Sequence, residues 1–125
     1  MSYQVGDTIQ PFTLQNTDGI HVNVIDYKGK NMVLLFFPLA FSSVCTDELC
    51  NIRDNMKIYD SLKAEVIAIS IDSFFSLKAF KASQNYNFTL LSDFNKEVSN
   101  QFGVLSPDFF GMKGVAKRSA FVIDE

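Results

Sequence analysis

The sequence predicts an α/β protein: a mixed β-sheet with helices packed against it, entered through an N-terminal hairpin. Three observations predict it. The runs Met32-Val33-Leu34-Leu35-Phe36-Phe37 and Val66-Ile67-Ala68-Ile69-Ser70-Ile71 are nearly all apolar, as in strands covered on both faces. Between and after them, apolar residues recur at steps of three and four, the spacing of amphipathic helices. Ahead of them, two alternating segments flank a short turn sequence. Strands that alternate with helices pack as layers around one core.

Each element has its own local reason. Phe12-Thr13-Leu14 and His21-Val22-Asn23-Val24-Ile25 alternate apolar with polar around Asn16-Thr17-Asp18-Gly19, so they read as a hairpin closed by an Asp-Gly turn. Tyr27 to Asn31 is a polar connection into the first apolar run. After a break at Pro38, Leu49, Ile52, Met56 and Tyr59 predict one helix from Val44 to Leu62. Ser42 or Ser43 can cap its start, and Asp47 and Glu48 are expected in its first turns, where acids suit the dipole. Phe75 to Gln84 predicts a second long helix, and Thr89-Leu90-Leu91 a short strand. Lys96 to Phe102 predicts a short helix with Gly103 just past its end. Ser106 to Gly111 reads as loop, and Ser119-Ala120-Phe121-Val122-Ile123 as a last strand of central character. Nothing follows that strand to pair with it, so the expectation is an exposed sheet edge or a longer natural protein.

The totals narrow the function classes. A chain of 125 residues has room for one domain with a core, and residues 1–125 carry no repeat or linker that would divide it. A net charge of −3 gives no electrostatic reason to expect nucleic acid or an anionic membrane as partner. The longest apolar run, Met32 to Ala40, contains a proline and falls far short of the roughly 20 residues of a membrane span. Residues Met1 to Asp7 do not form a secretory signal. Two cysteines make no disulfide framework, so a cytoplasmic, reducing compartment is expected, with the thiols kept for chemistry or packing.

The chemistry is concentrated in Phe36 to Cys50, which holds both cysteines. A strand that hands over to a helix puts Cys45 near the helix's positive end, where unpaired amides and the macrodipole favour a thiolate. Ser42, three residues earlier, reads as a helix cap or as a hydroxyl that touches a small oxygen substrate. A cation is still required, because Asp47 and Glu48 disfavour a thiolate. Arg53 is eight positions along the same helix, roughly 12 Å of rise away, and reads as an ion-pair residue with Asp54 or Asp60. The thiolate partner is therefore assigned to Arg118, at the start of the last strand and next to Met32–Phe37 if those strands are neighbours. His21 has no companion, so neither a Cys–His dyad nor a metal site is expected. Cys50 is either a bystander on the helix flank or a thiol that pairs with Cys45. On an intact helix the two side chains lie about 140° apart with roughly 7.5 Å of rise, so pairing requires the first turns to unwind.

These residues resemble the peroxiredoxin family of the thioredoxin-fold superfamily. Its signature is proline, three residues, threonine or serine, two residues, then the peroxidatic cysteine; Pro38, Ser42 and Cys45 match it. Phe36 to Phe41 and Leu90-Leu91-Ser92-Asp93-Phe94 look like the alkyl hydroperoxide reductase E-type subfamily. Cys50, five places after Cys45, instead looks like the resolving cysteine of the bacterioferritin-comigratory, or Q-type, branch. The resemblance runs from Val5 to Asp124. It implies a thioredoxin-like fold that continues, in most members, into another strand and a helix, so the chain is expected to be truncated at its C-terminus. It also implies a thiol-dependent peroxidase acting on hydrogen peroxide or organic hydroperoxides. Cys45 is then the nucleophile, Ser42 and Arg118 align the peroxide, Pro38 shields the thiol, and Cys50 or an external thiol resolves the sulfenic acid. A thioredoxin-like or glutaredoxin-like reductant and a monomer or homodimer are implied, with no metal, flavin or haem. Phe41, Phe109, Phe110 and Met112 would line a peroxide pocket or a dimer surface, or, as isolated loop side chains, only cap the core.

Two other readings compete. A thiol–disulfide oxidoreductase would use a C-x-x-C spacing, which is missing. A non-catalytic thioredoxin-like redox sensor or binding module would oxidise at Cys45 and then depend on a partner.

Overall fold

The two apolar runs lie side by side at the centre of the sheet. In the computed structural model, β3 (Asn31–Phe36) and β4 (Ala64–Ser70) are parallel, with Met32 opposite Glu65 and Phe36 opposite Ile69. The structure describes residues 6–27, 31–106, 111–117 and 119–123, and only the backbone of residues 25, 26 and 43–45. β5 (Thr89–Ser92) adds parallel to β4, and β1 (Thr13–Asn16) adds antiparallel to β5. β2 (His21–Asn23) closes the hairpin with β1. β6 (Leu105–Ser106) and β7 (Val115–Ala116) form a small separate ladder, and β8 (Ser119–Ile123) pairs antiparallel with β3. Among the described residues the main sheet runs β2-β1-β5-β4-β3-β8. This is the mixed sheet with an N-terminal hairpin that the sequence predicts.

Alternation along the central strands splits the core into two layers. Leu34, Phe36, Ile67, Ile69 and Leu91 face one side and pack with Phe12, Val98 and Phe102. Leu35, Phe37, Val66, Ala68 and Leu90 face the other and meet Leu49, Ile52, Leu77 and Phe80. Those last four come from α1 (Ser43–Asp54) and α3 (Phe74–Gln84). The crossovers β3-to-β4 and β4-to-β5 step in the same direction along the sheet, and crossovers of one hand then put both helices on one face, which explains why the second layer is helix-covered. The opposite layer is closed by the hairpin and by α4 (Glu97–Gln101). A strand buried on both sides needs an unbroken apolar run, and the sequence has one in each central strand.

Three boundaries depart from the sequence reading. The predicted Val44–Leu62 helix is two helices, α1 and α2 (Met56–Ser61), separated at Asn55. The Asn55 amide nitrogen donates to the Asn51 carbonyl at 2.7 Å, and the Asn55 backbone N–H closes on Ile52 at 3.1 Å. That side chain competes with the helical ladder, while the apolar spacing runs on through it. Strand pairing after the hairpin stops at Asn23, and Val24–Tyr27 form a 3-10 turn whose Val24 N–H donates to Phe12. Ser106 belongs to β6 rather than to a loop; residues 107–110 lie outside the described residues. The last strand is an edge of the described sheet, with Val122 78% exposed, which is one of the two outcomes that the sequence allows for it.

Turn chemistry follows the expected residues. Gly19 closes the hairpin with φ +76°, and a Cβ there would come 3.1 Å from the Phe74 ring. Gly103 stands just past α4 with φ +69°, as the sequence predicts.

Candidate active site

β3, β4 and β5 are parallel, so their C-terminal ends meet at one edge of the molecule, the usual place for a site in such sheets. The loop after β3 carries the motif residues. Phe37 N–H donates to Ile69 O at 3.0 Å, extending the strand pairing by one residue, and Pro38 is buried beside it. The chain then turns sharply. Phe41 adopts a left-handed conformation (φ 68°), which L-residues with side chains rarely take, and its half-exposed ring packs 4.9 Å from Phe80. Ser42 follows in an extended conformation as the N-cap of α1.

Ser42 occupies the cap position without capping. Its side chain makes no bond to a first-turn amide; the hydroxyl donates back to the Leu39 carbonyl at 3.2 Å. Its carbonyl accepts from Thr46 N–H at 2.9 Å and from the Thr46 hydroxyl at 2.8 Å, starting the helical ladder. Cys45 is the third residue of α1, within the first turn. Its side chain lies outside the described residues, so the sequence-based contact between its sulfur and the other groups is not seen. Asp47 and Glu48 fall in the second turn and not the first, because the helix begins at Ser43.

The cations sort as follows. Arg118 lies outside the described residues. The described part of β8 starts at Ser119, which pairs with Phe36, at the same sheet end as the motif loop. Arg53 is engaged elsewhere: its Nε donates to Asp54 at 2.9 Å and its Nη1 to the Gln84 carbonyl. The bond to Asp54 raises the guanidinium pKa, burial opposes this, and the charges of Asp54, Cys50 and Tyr86 add to the rise. This fits the ion-pair role that the sequence gives it.

Cys50 is a free, half-buried thiol on an intact helix, packed against the α1/α3 core layer. Its sulfur donates to Gln84 Oε1 at 3.4 Å and lies 3.8 Å from the Tyr86 hydroxyl, which donates to the Thr46 carbonyl at 3.4 Å. The segment after α3 therefore holds the middle of α1. Met112 is 40% exposed beyond the loop, while Phe109 and Phe110 lie outside the described residues. Among the described residues no group of three or more His, Cys, Asp or Glu side chains could hold a metal ion, and no helix is long and apolar enough to cross a membrane.

Sequence reasoning missed the polar residues that end β4 and β5. Asp72 Oδ2 accepts from Ala40 N–H at 2.8 Å and from the Ser70 hydroxyl at 2.7 Å. Asp93, 1% exposed, accepts from Val98 N–H at 3.1 Å and Ser99 N–H at 2.6 Å. The signal was present: a short polar run after each buried strand, at the sheet end where the motif loop also lies.

Comparison with known proteins decides the family. Residues 5–125 match the AhpC/TSA family. Peroxiredoxin Bcp of Escherichia coli (strain K12) is 36% identical over 124 residues, covering 97% of this chain and 79% of the relative. The chain belongs to the peroxiredoxins. A putative peroxiredoxin of Mycobacterium tuberculosis, Rv2521, is also 36% identical, over 96% of this peroxiredoxin and 78% of its own length. The crystal structure of peroxidoxin BcpB from Mycobacterium tuberculosis superposes with a TM-score of 0.87 at 32% identity, over 95% of this peroxiredoxin and 77% of that chain. The fold is thus the thioredoxin-like fold of that family, and the Bcp names agree with the branch that the Cys50 spacing resembles.

Proposed function

We propose that this peroxiredoxin is a thiol-dependent peroxidase whose nucleophile is Cys45. The observation that carries the reading is the place of Cys45 in the first turn of α1, directly after the Pro38–Ser42 loop at the shared ends of the parallel strands. Free amides of a first helical turn favour an anion, which lowers the cost of ionising the thiol. The thiolate attacks the terminal oxygen of hydrogen peroxide or an alkyl hydroperoxide. The S–O bond forms as the O–O bond breaks, and the departing oxygen leaves as water or alcohol after taking a proton. Cys45 is left as a sulfenic acid. Ser42 supplies a hydroxyl to the peroxide, Arg118 supplies the positive charge, and Pro38 keeps water from the sulfur. The pairing of Ser119 with Phe36 supports the role of Arg118, its chain neighbour.

The sulfenic acid is then resolved by Cys50, with loss of water and formation of a disulfide, or by an external thiol. A thioredoxin-like or glutaredoxin-like dithiol returns the protein to its reduced form. The free Cys50 thiol and the helical separation of the two cysteines support a reduced resting state whose first turns unwind on oxidation. Residues 1–125 act as one domain, as monomer or homodimer, in the reducing cytoplasm.

The test is a thiol titration against peroxide for the wild type, Cys45→Ser and Cys50→Ser. Peroxidase action predicts fast loss of one thiol in Cys50→Ser and of both in the wild type, with mass spectrometry showing a Cys45–Cys50 link. Slow, equal loss in all three proteins would refute the assignment.

A further inference from the structure

The proposed chemistry leaves Asp72 without a role, yet its carboxylate is the point to which the motif loop is tied. Asp72 follows the C-terminal end of β4 and is fixed from two strands. Its Oδ2 accepts from the Ser70 hydroxyl at 2.7 Å, its N–H donates to Ser70 Oγ at 3.2 Å, and its carbonyl accepts from the Ser92 hydroxyl at 2.6 Å. Ser70 is fully buried and Ser92 is 7% exposed, so both supports belong to the core rather than to the surface. From this fixed place the same Oδ2 accepts from Ala40 N–H at 2.8 Å, 32 residues away in sequence.

The loop needs such a tie. Next to Ala40, Phe41 holds a left-handed backbone conformation (φ 68°) that crowds its Cβ against the following carbonyl. A strained turn persists only where its surroundings hold it. The Phe41 ring on Phe80 and the Ser42 hydroxyl on the Leu39 carbonyl are two constraints, and the Asp72 bond is a third, which ties the turn to the sheet. Ser42, the residue that sets the start of α1, comes directly after.

We infer that Asp72 is a positioning residue for the peroxide reaction: its Oδ2 holds Ala40 so that Ser42 and the first turn of α1 stand in reactive alignment. This rests on the peroxidase reading given above. Asp72 itself touches no reacting atom; it acts through the loop. Because both bonds fall on one oxygen, an asparagine amide oxygen in the same place keeps both, and the inference concerns that acceptor rather than the charge.

The experiment uses a Cys50→Ser background, so that one thiol is followed, and compares its loss to hydrogen peroxide with its loss to iodoacetamide. Alkylation needs an accessible thiolate but no alignment of an O–O bond. Asp72→Ala is expected to slow the peroxide reaction roughly ten- to a hundredfold, the scale of an ångström-sized misplacement. Alkylation should change less than about threefold, because helix-end activation of the thiol survives. Asp72→Asn is expected to restore the peroxide rate to within about threefold of the background. If Asp72→Ala does not fold, Ser70→Ala carries the test, with a loss of about threefold in the ratio of the two rates. Equal falls in both reactions, an unchanged ratio, or an Asp72→Asn loss as large as that of Asp72→Ala would overturn the inference. A background protein no faster with peroxide than a free thiol would sink the peroxidase reading and this inference with it.

Discussion

Helices α1 and α4 both start at the sheet end that carries the motif loop, and their N-termini are treated in opposite ways. At α4 the N-cap position falls to Lys96, which has φ 65° and offers no side-chain cap. Asp93, almost wholly buried, fills the gap by accepting from Val98 and Ser99 N–H, so a protein carboxylate satisfies that helix end. At α1 a residue with an excellent capping side chain stands in the right place and turns its hydroxyl to Leu39 instead. The comparison teaches that the protein neutralises a helix end where it wants stability and forgoes its own cap where it keeps a thiol. Helix α3 is the control, since Ser73 accepts from Ser76 N–H at 3.2 Å in ordinary fashion.

The contrast can be broken by substitution. Cys45→Ser is expected to abolish peroxide turnover, by more than about a thousandfold, while leaving urea stability near that of the wild type. Full activity in that variant would end the division between the two helix starts. Asp93→Ala should do the reverse. Two buried amides lose a charged acceptor, so stability falls by about 2–4 kcal/mol in urea titration while the folded fraction keeps its peroxide rate. Ser42→Ala is expected to slow peroxide reduction about tenfold or more with a stability change below about 0.5 kcal/mol, because no capping bond is lost. Ser73→Ala, measured by the same denaturation, should cost about 1 kcal/mol and leave the peroxide rate alone. The smallest effect belongs to Tyr86→Phe. Removing the hydroxyl that bonds Thr46 and faces Cys50 should raise the rate of Cys50 alkylation about two- to threefold, measured in Cys45→Ser.

The sheet was legible because a strand buried on both faces must be largely apolar, and Met32–Phe37 and Val66–Ile69 satisfy that rule. The motif loop was legible for a different reason: Pro38 ends the strand and Ser42 precedes a helical spacing, which places Cys45 in the first turn. Asn55 was hidden because a break that leaves the phase of Leu49, Ile52, Met56 and Tyr59 nearly intact does not disturb periodicity. Strand β6 was hidden because two residues carry no alternation to read. Asp72 and Asp93 could not be told apart in the sequence. Each follows a buried strand, and only the fold decides which backbone N–H groups come within reach of each carboxylate.

The interruption at Asn55 bounds how much of the molecule a cysteine link would have to disturb. Helical unwinding that begins at Ser43 and frees Cys50 meets a ready-made end there, five residues on, so α2 can keep its seat while three turns let go. If the proposed link between Cys45 and Cys50 forms, this break would confine the rearrangement to the dozen residues of α1.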